Sequence, residues 1–429
     1  RCSTDPLSRA AVNLEIDGAN FKVSALTLKS HRWFSRLDHP VDLERLRNSP
    51  VGELVPIRGY DPRFNEEYEY FGYVPNRLPA GFELQASTYS VVVEATAALA
   101  RADQASSLLP NPTLLARPAT RREAVSTSAL EGTYAALSDV FEADFLDNDE
   151  MTSSVSEVRN YVTAAERAYE MIGQGRSISI RMLEDLQAEL LRGTPSDGAH
   201  AGSVRTSQVF IGVGNRRVDS ARFVPPPADH RLTDGLEAWQ AWIREVNDVP
   251  TIIRVAVSHY QFETLHPFHD GNGRLGRLVA TLQLMCAGEL RYPILNLSPW
   301  LVQRRSEYQE GLLRVSQTGD WDTWICFMSA AIHAEALEVV ARVDRLLALR
   351  ESFQLTLRGS KGVALRIADD LVGYPMITAT LASKLYGVSY QAANSAIAKL
   401  VDLKILRQRT AGRYDRIFQC DSVLTALEY

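Results

Sequence analysis

A twelve-residue segment, His266 to Arg277, restricts what this chain can become more than any other part of the sequence. It reads His-Pro-Phe-His-Asp-Gly-Asn-Gly-Arg-Leu-Gly-Arg. The glycines on either side of Asn272 let the backbone adopt positive φ angles and approach a ligand closely. A helical pattern begins near Asn272, so the unpaired N–H groups of its first turn and the helix dipole would face an anion. We therefore expect an anion site where a loop opens into a helix.

The charged side chains of this segment suit a polyphosphate. Asp270 can offer one carboxylate oxygen to Mg²⁺, which keeps water and phosphate oxygens as its other ligands. Arg274 and Arg277 are three residues apart, so they share one helix face, and guanidinium forks fit phosphate oxygens. A glycine-rich loop with surface arginines explains each residue singly but not the whole set.

Size and composition indicate an ordinary globular protein of two or three domains. The chain has 429 residues, of which 45% are hydrophobic and 23% are charged, with a net charge of −6. That charge argues against a protein that coats polyanions. No apolar run approaches the ~20 residues that span a bilayer, so we expect no membrane partner. The four cysteines lie far apart, which argues against a zinc site or disulfide framework and favours a cytoplasmic location.

Apolar spacing predicts a mainly α fold in three parts. Residues 1–72 form a mixed N-terminal extension without a chemical motif, in which residues 11–23 alternate as short strands do. Residues 73–350 form the helical body, and residues 359–429 form a separate C-terminal unit. Within the body, helical patterns occur at 89–105, 120–131, 152–174, 179–192, 231–247, 250–265, 272–288, 300–318 and 321–352.

Two details of the helical body carry further expectations. Thr120 and Glu123 have the spacing of a capping box, which predicts that a helix starts there and ends before Gly132. Residues 207–213 and 218–224 are rich in β-formers around a turn at 213–216, and three prolines follow at 225–227. This pattern predicts a β-hairpin flap.

The C-terminal unit has the pattern of a winged helix-turn-helix domain. Helical patterns at 380–385 and 389–400 flank a break at Gly387, and residues 405–408 and 416–419 read as wing strands around Gly412. The wing carries several arginines, but the excess of basic over acidic residues in 359–429 is small. DNA binding and a role in dimerisation or protein docking both remain open.

The segment His266–Arg277 also resembles the signature of the Fic family, His-x-Phe-x-Asp/Glu-Gly-Asn-Gly-Arg-x-x-Arg, at every defined position. The resemblance covers about residues 73–350 and implies a Fic-type helical bundle that transfers AMP from ATP to a protein hydroxyl. Thr127 to Gly132 resembles the family's inhibitory pattern, Ser/Thr-x-x-x-Glu-Gly/Asn. Its position before the core is similar to that in members whose inhibitory helix lies in the same chain.

The resemblance implies a role for each residue of the segment. His266 would accept the proton of a Ser, Thr or Tyr hydroxyl, and Asp270 would hold Mg²⁺. Glu131, with Thr127 in the same motif, would inhibit by pairing with the arginine that otherwise binds the γ-phosphate. The implied nucleotide-binding residues are Gly271, Asn272, Gly273, Arg274 (β-phosphate), Leu275, Gly276 and Arg277 (γ-phosphate).

The flap also resembles a family feature, the hairpin that docks an extended target segment. Val209, Phe210, Ile211 and Gly212 would form its docking strand, although Val204 stands where the family usually has an aromatic residue. A bare hairpin edge would offer main-chain hydrogen bonds to the target.

Alternatives remain at the level of activity. The same site could remove AMP from a modified protein, with Glu131 positioning water, and the sequence does not separate this from inhibition. Family members that phosphorylate their targets depart from Gly-Asn-Gly-Arg, so the intact motif favours AMP transfer. A DNA-binding regulator is an alternative of a different class. The target protein is unknown; self-modification and a homodimer are further expectations.

Overall fold

The computed structural model describes residues 42–428, except 109–110, 213–216, 246–247, 360–361 and 411–415. Helices dominate the described part, which confirms the mainly α prediction. The helices are α1 Leu43–Arg47, α2 Ala86–Ser106, α3 Thr113–Leu130, α4 Leu137–Glu142, α5 Ser153–Gly173, α6 Ile180–Leu191, α7 His230–Arg244, α8 Thr251–Leu265, α9 Asn272–Cys286, α10 Ser298–Gln303, α11 Arg305–Thr318, α12 Trp321–Thr356, α13 Val363–Asp370, α14 Ala379–Tyr386, α15 Tyr390–Asp402 and α16 Asp421–Glu428.

An antiparallel hairpin precedes the helical body, and we did not predict it. Strand β1, Gly52–Asp61, pairs with β2, Glu66–Pro75, along their whole length. The expected boundary between residues 72 and 73 is therefore wrong, because it falls inside β2. Pro75 stands at the last position of β2, and proline is tolerated there because both strands of a two-stranded sheet are edge strands. The strands expected within residues 11–23 lie outside the described residues.

The helical core is built around α12 and α8. Helix α12 lies along α2 and also contacts α8 and α11. Helix α12 is long and apolar enough to cross a membrane, but half of its most apolar stretch is buried in the protein. Trp324 is one of its fully buried residues, and its Nε1 donates to the carbonyl oxygen of Ala256 in α8 at 2.7 Å. Helix α12 therefore has the environment of a core helix.

Helix α3 begins earlier than expected. It starts at Thr113, where Asn111 Oδ1 accepts a hydrogen bond from the Thr113 N–H at 3.2 Å. Thr120 lies inside the helix and its hydroxyl donates to the Ala116 carbonyl at 2.8 Å, as interior threonines do. The predicted capping box, and a helix of about 120–131, are therefore wrong at the N-terminal end.

Buried polar contacts fix α3 against its neighbours. Glu123 accepts hydrogen bonds from the backbone N–H and the hydroxyl of Ser298 at the start of α10. Burial raises the pKa of Glu123 to about 7, against the opposing effect of these bonds. Asn296 donates to the Ala119 carbonyl at 2.7 Å, and Arg122 pairs with Glu335 of α12 at 3.3 Å. These contacts define where the end of α3 lies.

The flap is not the two-stranded hairpin that we expected. A single antiparallel bridge joins Ile211 to Phe223, and Val218–Ser220 is a 3₁₀ turn instead of the start of a strand. The Gln208 side chain bonds carbonyl groups that would otherwise accept hydrogen bonds from a neighbouring strand. Its Nε2 donates to the Val209 and Pro225 carbonyls. Residues 225–227 are prolines and have no N–H to donate. The turn at 213–216 lies outside the described residues.

The helical pattern at 300–318 forms two helices. Helix α10 ends at Gln303 and α11 begins at Arg305, because Arg304 leaves the helical region at φ −124° and ψ 32°. The Arg304 guanidinium lies 4.1 Å from the ring centroid of Trp300.

The described part of the C-terminal unit packs against α3 and α4. Helices α14 and α15 and the strands Arg407–Gln408 and Phe418–Gln419 occupy the positions expected for a helix-turn-helix and its wing. A third strand, Met376–Ile377, pairs with Phe418–Gln419 and was not expected. Arg409 pairs with two carboxylates of α4, those of Asp139 at 2.9 Å and Glu142 at 2.7 Å. The wing tip lies outside the described residues, and the winged-helix assignment stays a prediction.

Candidate active site

The segment His266–Arg277 forms the loop between α8 and α9. Helix α8 ends where His266 takes the left-handed conformation, φ 48° and ψ 63°, while its N–H still bonds the Phe262 carbonyl at 3.0 Å. Pro267 has no N–H and cannot continue the helix. Gly271, with φ 86°, then caps the N-terminus of α9. The loop-to-helix geometry expected from the sequence is present.

Asn272 holds this loop closed. Its Oδ1 accepts from the Phe268 N–H at 2.9 Å, and its Nδ2 donates to the Phe268 carbonyl at 2.8 Å. Asn272 and Phe268 are both buried. The Asn272 side chain thus shapes the loop, and the binding of a nucleotide by this residue stays a prediction. Leu275 packs in the core, and a Cβ on Gly276 would collide with Glu263 of α8, so these two residues face the protein interior. That Leu275 and Gly276 contribute to nucleotide binding stays a prediction.

The two arginines of α9 lie side by side in the structure and are both 2% exposed. Arg277 donates to the Thr127 hydroxyl at 2.7 Å, to the Thr127 carbonyl at 3.2 Å and to Glu131 Oε1 at 2.6 Å. Arg274 donates to Glu157 Oε1 at 2.5 Å and to Asp270 Oδ1 at 3.1 Å. The pairing of Glu131 with Arg277 is the one that the resemblance implied. Glu157 was missed, because no local pattern links a residue of α5 to the loop.

Glu131 lies over the first turn of α9. It is the C-cap residue of α3, and a Cβ on Gly273 would collide with its carboxylate. Burial would raise the pKa of Glu131, but the charge of Arg277 and the hydrogen bond from it hold that pKa below its ordinary value. An ionised carboxylate therefore occupies the end of α9 at which the helix dipole attracts an anion.

His266 is half-buried and uncharged near neutral pH. Burial, and then the positive charge of Arg205, lower the pKa of His266 to about 4. Its Nδ1 is 3.3 Å from the Glu263 carbonyl oxygen, which can only accept, so Nδ1 carries the proton. Nε2 is then left with a lone pair. The residue is poised to accept a proton at Nε2.

Asp270 is the most exposed carboxylate at the loop. Its side chain is 42% exposed, and Oδ1 accepts from the Gly271 N–H at 2.6 Å as well as from Arg274. Its Oδ2 accepts from the Ser196 hydroxyl at 2.7 Å. Among the described residues no three His, Cys, Asp or Glu side chains converge as metal ligands. One carboxylate fits Mg²⁺ that takes its other ligands from phosphate and water, and it does not fit a cation held by the protein alone.

The flap residues lie beside this loop and against the N-terminal hairpin. Tyr68 of β2 meets Phe210 edge to face, with ring centroids 5.3 Å apart. The N–H of Tyr73 donates to the Val224 carbonyl at 2.9 Å. Val209, Phe210 and Ile211 are half-buried and Gly212 is exposed. The flap therefore rests on β2, a support that the sequence did not indicate.

Comparison with known protein families agrees with this site. The Fic/DOC family N-terminal model matches residues 89–170, and the Fic/DOC family model matches residues 177–284. The first match contains Glu131, and the second contains His266 and Arg277. Residues 42–88 and 285–428 lie outside both matches.

Individual relatives resemble the same part of the chain. The chain is 32% identical over 143 residues to Protein adenylyltransferase fic-1 of Caenorhabditis elegans. The aligned segment makes up 33% of this chain and 24% of that protein. The chain is 30% identical over 136 residues to Protein adenylyltransferase Fic of Drosophila grimshawi, covering 31% and 24%. The match thus spans about a quarter of the length of these relatives.

A solved structure resembles most of the fold. The crystal structure of a Fic family protein from Desulfovibrio desulfuricans G20 aligns with a TM-score of 0.50 and 20% identity, covering 80% of this chain and 98% of that one. At this identity the likeness speaks for the fold alone.

Replacing Asn272 by Ala tests the role of this side chain in closing the loop. Both backbone groups of Phe268 would lose their partner in a buried place, so we expect the free energy of unfolding to fall by about 2 kcal/mol. Chemical denaturation followed by circular dichroism measures this change. Gln303→Ala, at an exposed position in α10, is the control. An unfolding midpoint equal to that of the wild type would contradict the assignment.

Proposed function

We propose that this protein transfers AMP from ATP to a hydroxyl side chain of a target protein, because the Fic/DOC family N-terminal and Fic/DOC family models match residues 89–170 and 177–284. Pyrophosphate is the second product. The observation that carries the proposal is that His266, an uncharged base, lies in the same loop as the N-terminus of α9, which two buried arginines flank. The names of the relatives support the same activity.

The proposed reaction needs one proton acceptor and one binding site for a triphosphate. The target hydroxyl oxygen attacks the α-phosphorus, its proton moves to Nε2 of His266, and the bond to the β-phosphate oxygen breaks. The backbone N–H groups at the start of α9 face the α-phosphate as charge builds on it. Arg274 binds the β-phosphate and Arg277 the γ-phosphate. Phosphate charges close to His266 favour the imidazolium form, so the bound nucleotide itself makes the base stronger.

Mg²⁺ is the cofactor that the proposal implies, and Asp270 is the residue that would hold it. The exposed carboxylate at the loop fits a cation shared with phosphate oxygens. When bound, the ion would neutralise phosphate charge during the transfer. Asp270 has a second role in the protein itself, because it accepts a hydrogen bond from Arg274 and so orients that guanidinium.

Autoinhibition by Glu131 is the finer part of the proposal. Its carboxylate binds Arg277 and covers the start of α9, so it competes with the γ-phosphate for the same guanidinium. A nucleotide that binds while Glu131 stays in place has to direct its triphosphate elsewhere. Thr127 contributes by holding Arg277 through its hydroxyl and carbonyl oxygens.

Removal of AMP by the same site is the second candidate function. The observation that favours it is the carboxylate of Glu131, which is kept ionised near His266 and could orient a water molecule. The DNA-binding alternative has less support from the wing, because Arg407 pairs with Asp421 and Arg409 pairs with α4. The target, a homodimer and a cytoplasmic location stay proposals.

The transferred group distinguishes AMP transfer from phosphorylation. Label from α-³²P-ATP should appear on protein in a lysate, or on the enzyme itself, whereas label from γ-³²P-ATP should not. His266→Ala should lower the transfer by about 10²- to 10⁴-fold, because the proton acceptor is lost. Autoradiography of denatured protein measures both. Transfer of the γ-label alone would identify a kinase and refute the proposal.

Removing the Asp270 carboxylate tests the Mg²⁺ site. Asp270→Ala should slow AMP transfer by at least about tenfold at a fixed Mg²⁺ concentration, and higher Mg²⁺ should restore part of the rate. The fold should survive, because Arg274 keeps its pairing with Glu157. Asp185→Ala, at the surface of α6, is the control. Full transfer by Asp270→Ala in excess chelator would disprove the assigned role.

Releasing Arg277 tests autoinhibition. Glu131→Gly should raise AMP transfer, including transfer onto the protein itself, by about tenfold or more, because Arg277 becomes free for the γ-phosphate. The helix should survive, since Glu131 is only its C-cap. Glu131→Gln is the matched variant that keeps a hydrogen-bond acceptor without the charge, and it should give a smaller gain.

The double variant identifies the agent of the gain. Glu131→Gly with Arg277→Ala should lose the increase, because the released guanidinium is no longer present. Unchanged or lower modification in Glu131→Gly alone would show that Glu131 does not inhibit. A specific loss of AMP removal in that variant would instead favour the hydrolytic role.

A further inference from the structure

Arg205 is a buried cation whose hydrogen bonds, within the part of the chain that the structure describes, all go to backbone carbonyl groups. It is 2% exposed, and its guanidinium donates to four carbonyl oxygens: those of His266 at 2.8 Å, Pro226 at 2.6 Å, Ser207 at 3.3 Å and Leu265 at 3.4 Å. Burial lowers its pKa to about 10, and Asp229 opposes this only through its charge. The side chain therefore stays protonated near neutral pH, without an acidic hydrogen-bond partner among the described residues.

The four carbonyl groups belong to two functional parts. Leu265 and His266 form the end of α8, where the proposed base lies. Ser207 and Pro226 flank the flap, one before the docking residues and one after the bridge at Phe223. The backbone N–H of Arg205 adds a fifth contact, to the Pro267 carbonyl at 2.8 Å. A single residue thus joins the base to both ends of the flap.

His266 needs such support. Its φ of 48° is uncommon for a residue with a side chain and costs on the order of 1 kcal/mol. The bond from Arg205 Nε to the His266 carbonyl helps to fix this conformation. The charged groups that act on the imidazole are Arg205, which disfavours the imidazolium form, and Glu131 and Asp270, which favour it.

We propose that Arg205 is a positioning residue for AMP transfer, which holds His266 and the target-docking flap in register and places a fixed positive charge beside the base. The inference rests on the proposed function for its catalytic meaning. Arg205→Lys would keep the charge but lose the planar fork that reaches several carbonyl groups at once. Arg205→Met would lose both the charge and the fork. The two substitutions therefore separate charge from geometry.

The first experiment measures the charge without depending on catalysis. Full-length protein labelled with ¹³C in its histidine rings is titrated by NMR, and His266→Ala assigns the signal of His266. In Arg205→Met the titration midpoint of His266 should move up by about one pH unit, because removing a like charge favours the imidazolium form. In Arg205→Lys it should stay near the wild-type value. An unchanged midpoint in a folded Arg205→Met protein would overturn the electrostatic part of the proposal.

The second experiment measures the geometry. In a Glu131→Gly background, self-modification with α-³²P-ATP gives kcat and the KM for ATP. Arg205→Lys should lower kcat by about 100-fold, because the base and the target segment lose their relative position, while the KM for ATP stays unchanged. Arg291→Lys is the matched control, since this exposed arginine pairs with Asp103 away from the loop. Wild-type kcat in Arg205→Lys would overturn the proposal.

The outcomes remain interpretable if a variant is unstable. Thermal unfolding is recorded for each protein, and if Arg205→Met does not fold, Arg205→Lys decides. If neither the wild type nor Glu131→Gly transfers AMP to itself or to a protein in a lysate, the proposed function has failed, yet the NMR titration still tests the electrostatic role of Arg205.

Discussion

The need to compensate two buried guanidinium groups organises this molecule. Arg274 and Arg277 lie beside the N-terminus of α9, which already carries partial positive charge, and both are almost fully buried. Burying a charge is costly unless it is paired or hydrogen-bonded. In the protein alone, Glu131, Glu157 and Asp270 supply the negative charge. Under the proposed function, a triphosphate would bind the same donors in place of the protein's own carboxylates.

The autoinhibition that we propose requires α3 to be held firmly. Glu131 could compete with a phosphate only if its carboxylate reaches the start of α9, and that position depends on the anchors along α3 to Ser298, Asn296 and Glu335. The C-terminal unit adds contacts to the same helix: Gly373 packs closely against Leu114, and the Arg117 guanidinium lies 4.6 Å from the Tyr374 ring centroid. The helix that ends in Glu131 therefore receives support from both the core and the C-terminal unit.

The opposite side of the loop is organised by backbone carbonyl groups. Arg205 binds carbonyl oxygens from the end of α8 and from the flap, and the flap rests on Tyr68 and Tyr73 of the N-terminal hairpin. Strand pairing contributes little there, because prolines at 225–227 cannot donate and Gln208 occupies further acceptors. The flap keeps its place through side-chain donors, and its shape differs from that of a regular hairpin for this reason.

The sequence by itself determined the local features. Apolar periodicity predicted most helices closely, because the face that a helix buries repeats every 3.6 residues, and the glycines around Asn272 predicted the loop and the start of α9. Prediction from the sequence failed where one pattern fits two structures. Thr120 and Glu123 have the spacing of a helix start, but in the structure they bond Ala116 and Ser298. The tertiary structure alone decided which charges meet. Glu131 and Arg277 are 146 residues apart, and the resemblance implied their pairing, but Glu157 and Arg205 gained their partners only through packing. A contact between distant segments depends on how whole helices pack, and no local spacing encodes it.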